Sequence, residues 1–574
     1  MRASGKGSAS TTVPTLTSTF SKSLQLISGN LSSFVGRHQQ LVSRTGATSG
    51  TRTYLKPEAC SLPRLLTRES ITINVPVITI LVVAHGEKEA WMSESEKRRT
   101  QGVEYENVGE EYLEHRQLQR GAAGWVLLMG LGIAYVISGE FAGWNFGLAE
   151  GGWGGLLIAT ILVAVMYTAM VYSLAELSAA IPVAGAGYGF ARRAMGVWGG
   201  FLTGTAIVIE YAIAPAAVVT FIGAYVESLI GFGGPLVYLL FYAVFIGMYL
   251  YGTGEALRIM FVITAVAVLA IVVFVIGMIP YFDPSNLFDI EPTNAAGASA
   301  FLPFGFLGIW AAFAYAIWFF LAIEGLPLAA EETRDPARDM PKGLIAAMLA
   351  LLIFAALILV FGPGGAGSAA IKTSGAPLTD ALAAPNAYGG KNALYTVVNV
   401  ISLAGLIASF YSIIFAYSRQ IYALSRAGYI PRWLSVTSRR HVPWVALVVP
   451  GVIGFLLSLS GTKGGALLVL ISVFGATISY VLMMLSHIIL RYTEPDLERP
   501  YKTPGGVFTS GVALVLAVAS VIAGFLVDPR VLIGAAIVYA IMIAYFAIHS
   551  RHHLVAQAPE EEFEAIERAE AELE

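Results

Sequence analysis

One cysteine, Cys60, stands in 574 residues, which excludes a disulfide-stapled fold and a cysteine-built metal centre. Charge is almost as scarce. Asp, Glu, Lys and Arg make up 13% of the chain, where a water-soluble globular protein carries roughly 25%, so a water-facing surface cannot be built from it. The few charges nearly balance, at −3, and the basic face of a nucleic-acid binder is missing. No phosphate-binding Gly-Lys-Ser/Thr loop occurs, which argues against ATP-driven pumping. What abounds is apolar: 56% of residues, besides 60 glycines. They come in runs of about 20, the length that crosses a hydrocarbon core of roughly 30 Å as helix. The sequence predicts an all-α membrane protein with about twelve transmembrane helices.

Residues 1–91 read as foreign to the remainder. No acid precedes Glu58, while Ser, Thr, Gly and scattered Arg and Lys prevail, as in a disordered leader or an organellar transit peptide. The apolar run 71–84 is too short to span a membrane and contains Pro76. Glu87-Lys88-Glu89-Ala90 back-translates to a string containing AAGGAGG, a bacterial ribosome-binding sequence, just ahead of the codon for Met92. The expectation is that Met92 is the start and that 1–91 are translated upstream sequence. Residues 92–121 then form a charged cytoplasmic tail.

The twelve candidate spans lie near 122–146, 154–178, 198–226, 235–252, 257–280, 304–326, 343–363, 393–424, 443–460, 465–490, 507–527 and 530–549. With the N-terminus inside, the inner connections hold fifteen basic residues: Arg120, Arg192, Arg193, Arg258, Arg334, Arg338, Lys342, Arg426, Arg432, Arg439, Arg440, Arg491, Arg499, Lys502 and Arg551. The outer ones hold four, Lys372, Lys391, Lys463 and Arg530. The asymmetry places both termini in the cytoplasm, and a bacterial inner membrane is the expected location. The stretch 550–574 reads as an acidic, solvated tail.

Two spans are interrupted. The first contains Ser138-Gly139-Glu140-Phe141 and the sixth Trp318-Phe319-Phe320-Leu321-Ala322-Ile323-Glu324-Gly325. A charge at a helix centre costs about 2.5–3.5 kcal/mol on insertion scales unless it faces a wet or paired site. Matched breaks five spans apart point to inverted repeats with a substrate site at the bilayer midplane, where irregular backbone lines a cavity rather than lipid. Glu210 is a further intramembrane acid, in the third span, suited to a cation site, a proton carrier or a structural hydrogen bond.

These segments resemble the amino acid–polyamine–organocation transporter superfamily. Ser138-Gly139-Glu140-Phe141 looks like its Gly-Ser-Gly-Ile/Val-Phe unwound segment, with Ile137 for the first glycine and Glu140 for the apolar residue. Ala175-Glu176-Leu177 with Pro182-Val-Ala-Gly185-Ala-Gly187-Tyr188, and Glu324-Gly with Glu331-Glu332-Thr-Arg-Asp335-Pro336-Ala-Arg338-Asp-Met-Pro341, match its loop motifs after the second and sixth spans. Ser425-Arg426-Ala427-Gly428-Tyr-Ile-Pro431 and Arg499-Pro500-Tyr501-Lys502-Thr-Pro504 follow in order. The resemblance implies alternating access by two inverted five-helix repeats, 122–280 and 281–490, with two accessory helices in 491–549. The string 135–147 looks most like the ethanolamine permease branch.

The expected substrate site comprises Ser138, Gly139, Glu140, Glu210, Trp318, Phe319 and Glu324, the two breaks taken from the resemblance and Glu210 from its place as an intramembrane acid. Helix-end N–H groups there would receive a substrate carboxylate. A carboxylate on Glu140 would oppose it by roughly 4 kcal/mol at 4 Å for an effective dielectric near 20. An ammonium without a carboxylate, such as ethanolamine, removes the conflict, and the Trp318 ring could hold it by a cation–π contact of about 0.5–2 kcal/mol. Glu324 resembles an acid that supports the broken helix. Glu176, Glu331, Glu332 and Arg338 are expected to organise inner loops and gates, and His487 to lie at the interface.

The expected function is therefore secondary active import of ethanolamine, with an amino acid, polyamine or other organic amine as the alternative. The bilayer and a small organic amine are the expected partners, with no cofactor, metal or nucleic acid. A coupling proton, a sodium ion or the membrane potential alone, worth about 2.3 kcal/mol per charge per 100 mV, could drive it. The fifth span offers Thr264-Ala265-Val266 where some proton-coupled relatives place a lysine, and Ser402, Ser409 and Ser412 are hydroxyls available to sodium. Channel, substrate-sensing receptor and membrane enzyme are the readings of other classes; no nucleophile–base or metal-ligand motif supports the last.

Overall fold

The computed structural model describes residues 98–100, 103–106, 121, 123–183, 185–251, 253–527 and 529–555. The expected leader 1–91 and start at Met92, most of the expected 92–121 tail and the acidic stretch beyond 555 lie outside the described residues. Two strands, β1 (Arg98–Thr100) and β2 (Val103–Glu106), pair antiparallel within the 92–121 region, where a plain charged tail was expected.

Helices follow in an order set by the apolar runs: α1 (Trp125–Val136), α2 (Ser138–Phe141), α3 (Phe146–Ala180), α4 (Gly187–Ile230), α5 (Pro235–Tyr251), α6 (Thr253–Met278) and α7 (Gly305–Trp318). After a 3-10 stretch, Ile323–Glu332, come α8 (Pro336–Ala366), the short α9 (Ser368–Ile371) and α10 (Pro377–Ala383), then α11 (Ala393–Arg426), α12 (Trp444–Ser458), α13 (Gly461–Thr493), α14 (Val507–Val527) and α15 (Pro529–Ile548). Among the described residues nine helical segments are long and apolar enough to cross a membrane, and three shorter apolar helices complete the twelve spans. The molecule is an all-helical membrane protein.

Burial sorts the helices into layers. α4 is buried over most of its apolar length, whereas α14 and α15 are largely exposed. On α15 the stripe Ile533, Ile537 and Ile541 is 55–62% exposed at a spacing of four, a face that suits lipid and would be costly in water. Against α4 lies α13: Ser472 donates to the Glu210 carbonyl at 3.1 Å, and Gly475 approaches the α4 backbone so closely that a Cβ would meet the Ala206 carbonyl oxygen at 2.9 Å. Small residues allow such contact where no hydrophobic force drives helices together.

Several limits differ from the apolar runs. The third helix begins at Gly187 rather than near 198, because Gly196 turns the chain at φ 73° and the amphipathic start Gly187–Met195 precedes it. Likewise the second begins at Phe146 and bends at Gly152, φ 67°. The first span is no single helix: α1 stops at Val136 and α2 at Phe141. The sixth leaves the α-helical path after Trp318, and Ala322 adopts a left-handed φ of 80° before the 3-10 stretch starts.

At the basic end the two broken spans are tied to each other, since Ala123 donates to the Glu332 carbonyl at 3.2 Å and its own carbonyl accepts from Arg334 N at 2.9 Å. The residues after α15 fold back as well. Leu554–Val555 form β3, parallel to β2; Val555 N donates to the Ala427 carbonyl at 3.1 Å, Ser550 Oγ to the Tyr429 carbonyl at 2.8 Å, and Arg432 to the His553 carbonyl.

Candidate functional site

The two interruptions meet. Gly139 lies against the end of α7, where a Cβ would stand 2.2 Å from the Trp318 carbonyl oxygen. Trp318 Nε1 donates back to the Ala142 carbonyl at 2.9 Å, and Phe319 stacks on Trp144 with ring centroids 5.5 Å apart. Leaving the helix frees backbone carbonyls that must find donors inside a membrane protein. Here side chains supply them: Tyr225 Oη caps the Phe141 carbonyl at 2.8 Å and Ser409 Oγ the Tyr135 carbonyl at 2.8 Å. Because the Ser409 proton is spent on that carbonyl, Ser138 Oγ donates in its 2.7 Å contact with Ser409.

Glu140 is fully buried, and neither of its carboxyl oxygens has a hydrogen-bond partner among the described residues. Glu210 and Glu324 are buried too, at 0% and 4% exposure, and form a separate pair with Tyr211, whose hydroxyl donates to Glu324 Oε1 at 3.0 Å. A lone carboxylate so placed costs several kcal/mol unless it holds a proton or meets a cation. Of the seven residues expected at the site, Ser138, Gly139, Trp318 and Phe319 are thus joined at the backbone junction, Glu210 and Glu324 are joined elsewhere, and Glu140 bonds to neither group.

Aromatic rings continue from the junction toward the end opposite the basic residues. Trp318 meets Phe221 edge-on at 6.4 Å, and Phe221 meets Phe146 at 6.3 Å. The latter two rings line a cavity of about 460 Å³ with Ser228, Thr373 and two acids, Glu227 and Asp380. That volume falls in the range of small-molecule sites, ~300–1,000 Å³. Sequence reasoning passed over these residues, because acids near helix ends carry no signal that separates them from solvated ones.

The basic end is closed by ion pairs. Arg419 Nε bonds Glu332 Oε1 at 2.7 Å with both side chains buried, and Arg426 pairs with Glu331 at 2.9 Å. Glu176 accepts from Arg491 at 2.5 Å and from the Thr503 amide at 2.7 Å, and lies 3.0 Å from Arg499. Glu176, Glu331 and Glu332 therefore join helices at this end. Arg338 does not: it is exposed, 3.9 Å from Asp335. His487 lies at this same end and is buried there, with Nε2 3.3 Å from Glu176 and Nδ1 2.6 Å from Ser510 Oγ. Of the three α11 hydroxyls considered for sodium, Ser409 is committed to the first break, Ser412 donates to the Ser409 carbonyl at 3.0 Å, and Ser402 Oγ has no partner among the described residues.

A family model described as amino acid permease matches residues 126–553. A branched-chain amino acid permease of Bacillus subtilis is 26% identical over 449 residues, 74% of this chain and 92% of the relative. A methylthioribose transporter of the same organism is 27% identical, covering 66% of this chain and 81% of its own. An uncharacterized transporter of Rhizobium meliloti is 28% identical, over 69% and 85% respectively.

Proposed function

The chain belongs to the amino acid permease family, and we propose that the solute it carries is a small amino acid or a related organic amine, bound where the two broken spans touch. It is a transporter and a multi-pass membrane protein, not an enzyme. The observation that carries the reading is the contact of Gly139 with the Trp318 backbone, a junction of irregular chain from which ring contacts lead through Phe221 to Phe146, two residues that line a cavity of about 460 Å³. In this reading the ion pairs of Arg419 and Arg426 hold the cytoplasmic side closed while the opposite side admits solute, and alternating access exchanges the two. The membrane is the bacterial plasma membrane, with the basic end inward.

Ethanolamine is the second reading, favoured by Glu140. A buried carboxyl with no partner in the first break attracts an ammonium and repels a second carboxylate, whereas the named relatives carry branched-chain amino acids in one case. The test is uptake of labelled alanine, leucine and ethanolamine by the full chain in proteoliposomes, with each competing against the others. Saturable uptake with counterflow supports a permease. Displacement of ethanolamine by alanine at equal concentration favours the amino acid, and indifference to alanine favours the carboxylate-free amine. Flux that neither saturates nor shows counterflow refutes both.

A further inference from the structure

Glu210 and Glu324 make a second polar centre that the backbone junction does not use. Glu210 lies midway along α4, and Glu324 near the start of the 3-10 stretch after the second break. Tyr211, the residue after Glu210, donates to Glu324 Oε1 at 3.0 Å and brings the two acids into one cluster. Three of their four oxygens, both of Glu210 and Oε2 of Glu324, have no hydrogen-bond partner among the described residues. The titratable groups that face them are phenols: Tyr135 from α1, Tyr211 from α4, and Tyr167 of α3 bonded at 2.8 Å to Tyr480 of α13. The nearby Arg419 and Glu332 adjoin Tyr135 and neutralise each other. No described Lys, Arg or His forms an ion pair with either acid.

Two carboxylates side by side without a cation, shielded from water, repel by several kcal/mol, and the cheapest remedy is a proton between them. The mounting of the two acids differs. Glu210 is fixed, because α13 grips its backbone through Ser472 and through the close approach of Gly475. Glu324 follows Ala322, whose left-handed φ of 80° marks strained backbone at a functional break. We propose that Glu210 and Glu324 together bind one exchangeable proton that moves with the solute, and that displacement of the 3-10 stretch parts the pair. On parting, the carboxyl O–H gives its proton to water and is left as carboxylate; on return it takes one from the other side. This goes beyond the transport reading and rests on it only for the movement of solute.

The experiment has two arms on the full chain in liposomes. Infrared difference spectra without solute should show a protonated-carboxyl stretch that disappears in Glu210→Gln, shifts or disappears in Glu324→Gln, and persists in Glu210→Asp, a control that keeps the acid should Gln disturb folding. A band unchanged in both Gln variants overturns the proposal. In the second arm, labelled alanine and ethanolamine should accumulate on a pH gradient in wild type, while Glu210→Gln retains solute exchange and loses gradient-driven accumulation. Accumulation driven by sodium alone, or surviving in Glu210→Gln, also overturns it. If neither solute moves, the transport reading fails by itself and the infrared arm still decides the proton site.

Discussion

Arg419, deep within α11, and Glu332, the last residue of the 3-10 stretch, form an ion pair with 1% and 0% of their side chains exposed. Glu332 also offers its carbonyl to Ala123 at the head of the first span, so one residue links three elements. The guanidinium lies over the Phe415 ring at 4.2 Å as well, which leaves it little freedom to find another anion.

Breaking a buried pair on one side strands a charge, at a cost of about 3–5 kcal/mol. Arg419→Ala and Glu332→Leu should each lower the thermal unfolding midpoint in detergent sharply, while the double change Arg419→Met with Glu332→Leu should recover most of the loss. Additive losses in the double variant would contradict the pairing.

The approach of Gly139 to the Trp318 carbonyl predicts a different failure. In Gly139→Ala the obstructing atom is backbone, so the junction itself must open. Overpacking of this kind costs roughly 1–3 kcal/mol, and solute uptake should be abolished while the protein remains extractable and monodisperse. Uptake at the wild-type rate would show that the two breaks need not touch.

Glu140→Gln keeps shape and removes charge. Folding should be retained, and the ratio of ethanolamine uptake to alanine uptake should fall, because the site loses its attraction for the ammonium and its repulsion of the carboxylate. A ratio that stays constant in competition assays would remove Glu140 from the selection of solute.

Trp318→Phe takes away the donor to the Ala142 carbonyl and leaves that acceptor buried without its partner, a loss of about 1–3 kcal/mol. Trp318→Ala adds a cavity and should cost about 3–5 kcal/mol. The Phe variant should raise KM for solute more than it lowers the unfolding midpoint; equal effects on both would make the ring structural alone.

Much of this was legible in one dimension. Twelve apolar runs gave twelve spans, because bilayer thickness fixes helix length whatever the partners, and Gly139 and Glu324 betrayed both interruptions by being misfits in apolar surroundings. The helix starts at Phe146 and Gly187 were hidden because glycines within each helix, Gly152 and Gly196, change its direction without changing hydropathy. Arg419 sat unremarked inside the run 393–424, and nothing local announces that its partner lies 87 residues away. The same holds for Glu210 and Glu324, individually visible and jointly invisible. Strands of two to four residues, as in β1 to β3, carry too little periodicity to be read at all.

The fold-back after α15 has a mechanical corollary. Val555, Ser550 and His553 all fasten onto the turn at 427–432 that ends α11, and β2 is stitched to the same strip. A fluorophore attached at residue 555 would thus report tilting of α11 instead of tumbling freely. Cutting the polypeptide ahead of His549 would release a wedge from beneath that helix, so a shortened protein is the wrong reference for measuring how fast the wild type cycles.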